Sequence, residues 1–125
     1  MSKHIGTPCD TVNFQFHIRS LELMMYSAKR ELEKEVRTCD LAISSFKSRA
    51  YYNPLHIYNF SLEKAAACLQ LGKYDEGIVA AKEAENNALS LAGRTKGLLF
   101  KLLNNLHASR FEDAYKVLKE VQEGK

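Results

Sequence analysis

From about Asn13 onward, apolar and small side chains recur three and four residues apart, the spacing that lines one face of an α-helix. Phe16, Leu23, Met24, Leu32 and Val36 mark the first such run, and Ile57, Phe60, Ala65, Cys68 and Leu69 mark one over 55–71. A third, about 75–91, is a stripe of small residues: Gly77, Ala80, Ala81, Ala84 and Ala88. Leucines 98, 99, 102, 103 and 106 fill a fourth over 95–108, and Phe111, Ala114, Tyr115, Leu118 and Val121 share a face over 111–122. Breakers separate them. Tyr51-Tyr52-Asn53-Pro54 ends one helix and starts the next, because proline disfavours the α conformation in the residue before it and suits a first helical position. Gly72 stands where a helix C-terminal glycine belongs, Gly93 ends the third run, and Thr95 is placed to cap the fourth.

Between Pro8 and Pro54 there is neither Gly nor Pro. An unbroken helix from 13 to 51 would be about 57 Å long, against a radius of gyration of about 14 Å for a chain of this size. A turn is therefore predicted near Arg37-Thr38-Cys39-Asp40, with Thr38 as N-cap. Residues 1–12, with Gly6, Pro8 and little periodicity, read as a flexible arm. Residues 13–125 read as one all-α domain of about six helices in three antiparallel hairpins, 13–54, 55–94 and 95–125. Stacking of the hairpins into a short superhelix and packing into a compact helical bundle are both open on this pattern.

Self-similarity favours the stack. Leu71-Gly72-Lys73-Tyr74-Asp75-Glu76-Gly77 closes one hairpin, and 37 residues later Ala108-Ser109-Arg110-Phe111-Glu112-Asp113-Ala114 closes another: small, basic, aromatic, two acids, small. Ala81 and Ala84 then correspond to Leu118 and Val121. About 35 residues upstream, Ala42, Phe46 and Pro54 follow the order small, aromatic, proline. With Gly72, Tyr74 and Gly77 in the middle unit and Phe111 and Ala114 in the third, this pattern resembles the tetratricopeptide repeat, a helix-turn-helix unit of about 34 residues. The resemblance spans roughly residues 23–122. Small residues at the repeat positions let helices approach closely, and the aromatic fills space at the turn.

The resemblance implies a concave groove lined by the first helix of each hairpin. On the register above, the groove residues are Met24, Ser27 and Glu31, then Asn59, Leu62, Ala66 and Leu69, then Lys96, Leu99, Leu103 and Leu106. One subgroup of that family grips acidic chaperone tails with Lys, Asn and Arg. Only Lys96 matches that clamp here, while Glu31 and Glu63 stand where it has amides, so an apolar peptide or helix of a partner protein is the expected ligand.

Composition supports a helical domain. Sixteen Leu and 13 Ala outnumber Val, Ile and Thr (5, 5 and 4), which lose side-chain freedom in a helix. The net charge of +3 comes from interleaved signs, as in Lys29-Arg30-Glu31-Leu32-Glu33-Lys34-Glu35-Val36-Arg37, which reads as a solvated helix face. Nucleic-acid binding through Arg94, Lys96, Lys101 and Arg110 is the weaker reading, since such proteins concentrate cations on one face. Cys9, Cys39 and Cys68 form no CxxC and the four histidines fall at no zinc-ligand spacing, so no metal or cofactor is expected. Free thiols, the lack of an apolar leader in MSKHIGTPCDTVNF and the absence of a long apolar run point to a cytoplasmic protein. No HExxH or GxSxG occurs. Gly93-Arg94-Thr95-Lys96-Gly97 lacks the strand and the Gly-Lys-Ser/Thr ending of a phosphate loop. The expectation is a non-enzymatic adaptor or small chaperone, self-associating through the leucine-rich fifth helix or the last one. The rival is a small bundle, such as a phage or bacterial inhibitor, that acts on another macromolecule through a charged convex surface.

Overall fold

The computed structural model describes residues 8–49 and 52–123, with side chains from residue 14 of the first helix. Among these residues the chain is all-α. Six helices follow one another: α1 (Pro8–Ala28), α2 (Leu32–Lys47), α3 (Pro54–Leu71), α4 (Tyr74–Asn87), α5 (Leu91–His107) and α6 (Phe111–Gln122). Helix α1 takes in residues 8–12 of the expected arm, whose residues 1–7 lie outside the described part, as does Gly124. No helix among the described residues is long and apolar enough to cross a membrane.

Each helix packs on its chain neighbours, and α3 also packs on α5. That is the contact order of three hairpins (α1–α2, α3–α4, α5–α6) laid side by side, with α1 and α6 at opposite ends. The core follows the same line. Cys39, Ala42 and Phe46 of α2 meet Ile57 and Phe60 of α3, with Phe16 and Leu23 of α1 against them. Val36 meets Ala67 and Cys68. Farther along, Ala65 of α3 packs with Ala80 and Ala81 of α4 and with Phe100 of α5.

The first hairpin turns earlier than its sequence predicts. The break lies at Lys29–Glu31, where Arg30 adopts a left-handed φ of 58°, and Thr38 is buried in the middle of α2. The reason is the apolar face of α2, which runs without interruption from Leu32 through Val36, Cys39 and Ala42 to Phe46; a break at Thr38 would divide it. Downstream, α3 starts as expected: Pro54 occupies its first turn, and the Asn53 side chain accepts a hydrogen bond from the His56 N–H at 3.1 Å. Gly72 ends it at φ 79°.

The α4–α5 junction differs too. Helix α4 ends at Asn87, and Ser90, not Thr95, caps α5 by accepting from Gly93 N–H at 3.1 Å. Gly93 and Thr95 are inside α5, and the Thr95 hydroxyl donates to the Leu91 carbonyl at 2.9 Å. Gly93 serves packing instead of termination: a Cβ there would lie 3.1 Å from the Tyr58 hydroxyl oxygen of α3. The boundary between the second and third hairpins therefore moves from 94/95 to residues 88–90.

Candidate functional site

All three hairpins close with the same turn. In the first, Glu31 N–H donates to the Tyr26 carbonyl at 2.9 Å and Arg30 N–H to that of Ser27 at 3.0 Å. In the second, Lys73 N–H reaches Cys68 at 2.9 Å and Gly72 N–H reaches Leu69 at 3.3 Å. In the third, Arg110 N–H reaches Asn105 at 2.9 Å and Ser109 N–H reaches Leu106 at 3.0 Å. This is the Schellman arrangement, with Arg30, Gly72 and Ser109 as its left-handed residue at φ 58°, 79° and 63°. The turns align the helices residue by residue, with 42 residues from Arg30 to Gly72 and 37 from Gly72 to Ser109.

On this register Ala42 lies ten residues after Leu32, as Ala84 does after Tyr74, so small residues of the two second helices match. The partner of Gly77 and Ala114 is Glu35, and that of Ala81 is Cys39. Phe46 is fully buried against α3, and Pro54 starts α3. Gly77 keeps its role: a Cβ there would overlap the Asn104 amide of α5. Ala81, Ala84 and Ala114 are all buried.

Counting back from the left-handed residue yields four matched positions on each first helix. They are His17, Ser20, Met24 and Ser27 on α1, then Asn59, Leu62, Ala66 and Leu69 on α3, then Lys96, Leu99, Leu103 and Leu106 on α5. None of the twelve is buried. Glu31 follows the turn, pairs with Lys34 at 3.2 Å and does not belong to this face, a displacement that follows from the earlier break. Between α1 and α3 the face forms a cleft of about 290 Å³ lined by Met24, Asn59 and Leu62, together with Phe16, Ser20, Leu23, Phe60 and Glu63. Met24 is 66% exposed; Leu99 and Leu106 are exposed and Leu103 half-buried. Leu69 is also half-buried, and Lys96 is exposed. The α1 members His17 and Ser20 escaped the sequence reading. A signal for them was present: Leu32-Glu33-Lys34 repeats the apolar-acid-charged order of Tyr74-Asp75-Glu76 and Phe111-Glu112-Asp113.

The side formed by α2 and α4 is different in kind. A cleft of about 340 Å³ there is bounded by Asp40, Lys47, Lys64 and Glu83. Lys47 bridges to Glu83 at 3.0 Å and Lys64 to Asp40 at 2.6 Å, so the four charges bounding this cleft are paired. Burial lowers the Lys64 pKa, but the hydrogen bond and charge of Asp40 outweigh it and leave the ammonium above its ordinary range. Of the four cations considered for nucleic acid, three are paired with acids. Arg94 and Lys101 both reach Glu85, each at 3.5 Å, and Arg110 reaches Asp75 at 2.6 Å.

Burial raises the pKa of Cys39 and Cys68, with the nearest carboxylates adding to it, so both thiols stay protonated and unreactive at neutral pH. Glu35 is buried beside the first turn, and burial, then the charge of Glu63, raise its carboxyl above the ordinary value. No three His, Cys, Asp or Glu side chains converge as a metal-ligand set among the described residues. No family model, curated protein or solved structure matches the chain.

Proposed function

We propose that the chain is a non-enzymatic protein–protein interaction module, an adaptor or small chaperone that holds a peptide or helix of a partner along α1, α3 and α5. One observation carries the reading: Leu62 with Leu99 and Leu69 with Leu106 fall at matched positions of two hairpins, Met24, Ala66 and Leu103 at a matched position of all three, and none is buried. Apolar side chains placed at the same register in successive hairpins, yet left accessible, are poorly explained as core. Contiguous exposed apolar surface of this kind marks a binding surface. The tetratricopeptide likeness of the turns belongs to the same proposal, since a stack of such hairpins presents its first helices on one face. Polar groups at the rim, Asn59, Glu63 and Lys96, would orient the ligand while the leucines supply most of the affinity. A charged-surface inhibitor gains less support, because the cleft between α2 and α4 is bounded by charges paired with one another.

Panning a peptide display library against the purified chain tests this. Enrichment of apolar or amphipathic segments is expected. Leu62→Glu and Leu99→Glu are each expected to weaken those peptides about a hundredfold, equivalent to roughly 2.7 kcal/mol, with the helical circular dichroism unchanged. Each removes a side chain whose full burial contributes about 1.5–3 kcal/mol. Selected peptides that bind both variants as well as the native chain would overturn the proposal.

A further inference from the structure

The last helix displays a face that its counterparts bury. Four, seven and ten residues after Leu32 stand Val36, Cys39 and Ala42, all covered in the α2–α3 core. The same positions after Tyr74 are Ile78, half-buried, and Ala81 and Ala84, both fully buried. After Phe111 they are Tyr115, Leu118 and Val121. Tyr115 is 60% exposed and Leu118 38%, and Phe111 is exposed as well. In the first two hairpins this face is closed by the first helix of the next hairpin. Beyond α6 no described helix does so.

A second copy of the chain can cover it in two ways, and charge separates them. Within the stack, the residue just after each left-handed turn position pairs with an acid of the preceding hairpin. Lys73 meets Glu33 at 3.8 Å, and Arg110 meets Asp75 at 2.6 Å. In a head-to-tail stack of two copies, Glu112 would stand in the place of Asp75 and Glu31 of the next copy in the place of Arg110. Two carboxylates would meet where the inner junctions have an ion pair, and the association would not close on itself. Antiparallel pairing of two α6 helices has the opposite character. Glu112 and Asp113 lie in the first turn of α6 and Lys119 in the last. Lys119 is held on the apolar face, its Nζ 5.6 Å from the Tyr115 ring centroid. A two-fold axis near Tyr115 sets each Glu112 beside Lys119 of the other copy, and it opposes the helix dipoles as well.

We propose that the chain forms a closed two-fold dimer through α6, with Phe111, Tyr115 and Leu118 as its apolar seam and two Glu112–Lys119 pairs at its edges. The seam uses a different helix from the peptide groove, so the two proposals stand or fall separately.

Sedimentation equilibrium of the full chain over about two decades of concentration tests it. The mass is expected to level off at twice the 14.2 kDa of one chain. Leu118→Glu and Tyr115→Glu should remain monomeric with unchanged circular dichroism. Glu112→Lys and Lys119→Glu should each weaken dimerisation about tenfold, and the double exchange should restore it. Leu99→Glu, in the groove, should leave the dimer intact. A monomer at every concentration, a mass that keeps climbing past the dimer, or a double exchange no better than the single ones would overturn the proposal.

Discussion

His56 lies between two rings, its imidazole stacked on Phe16 of α1 at a centroid distance of 4.1 Å and tilted against Phe46 of α2 at 4.9 Å. Its Nδ1 is buried without a hydrogen-bond partner. Burial, and then the neighbouring His17, hold its pKa below the ordinary 6.5. The sign for stability follows from which state binds the proton more readily. As pH falls through 6.5 the unfolded chain protonates His56 while the folded chain resists, so stability is lost from there down to the lowered folded pKa. Glu35 acts oppositely: its carboxyl, raised above 4.5 by burial and then by Glu63, takes up a proton more readily in the folded state and adds stability on acidification. Comparing native chain with His56→Phe isolates the histidine. The variant keeps an aromatic ring in the cluster and should lose less thermal stability between neutral pH and about pH 5. Parallel melting-temperature curves for the two proteins would contradict this. The residues that carry this behaviour were only partly legible in advance. Phe16, Phe46 and Phe60 declare themselves by helical spacing, whereas the position of His56 among them depends on three helices meeting.

At the scale of elements, small residues set how closely helices approach. Gly97 of α5 faces the α4 backbone, and a Cβ there would lie 2.9 Å from the Glu85 nitrogen, 3.1 Å from its Cα and 3.2 Å from the Ala81 carbonyl oxygen. Backbone cannot rotate away as a side chain can. Gly→Ala inside a helix ordinarily stabilises by about 1 kcal/mol. Gly97→Ala should instead destabilise by about 1–3 kcal/mol, because α4 and α5 must separate. A urea midpoint at or above that of the native chain would refute this account of the α4–α5 junction. The same reasoning explains which element boundaries are readable. Gly72 terminates α3 because a left-handed residue is needed there, and its type announces the turn. Arg30 and Ser109 adopt the same conformation with an ordinary side chain, at a cost of about 1–2 kcal/mol each. Nothing in their type marks them, so the sequence pattern sets the first break eight residues late, whereas the third turn shows through its likeness to the second. Gly93 misleads in the opposite direction, since its lack of a side chain serves Tyr58 and not a helix end.

Over the whole molecule, stability is distributed along a line. Helices α2 to α5 have neighbours on both sides, whereas α1 packs on α2 and α6 on α5. In such a stack the ends open more readily than the middle. Amide hydrogen exchange of dilute protein should be slowest in α3 and α4 and fastest in α1 and α6, and α6 alone should gain protection as concentration rises if it is the dimer seam. Uniform protection along the chain would instead indicate a single closed bundle.

The amino-acid sequence alone determines that the described chain is helical, where three of its six helices begin, and that Gly77, Ala81 and Ala84 lie at close contacts. These properties are local, written in the 3.6-residue period, in prolines and in capping side chains. The tertiary structure decided the break at Arg30, the register of the first hairpin, and the separation of an accessible leucine face from an α6 face open at the end of the stack. A left-handed arginine, a glycine inside a helix and an exposed leucine acquire their roles only when the neighbouring helix is in place. Its distance, its backbone and its charge are properties of the packed stack.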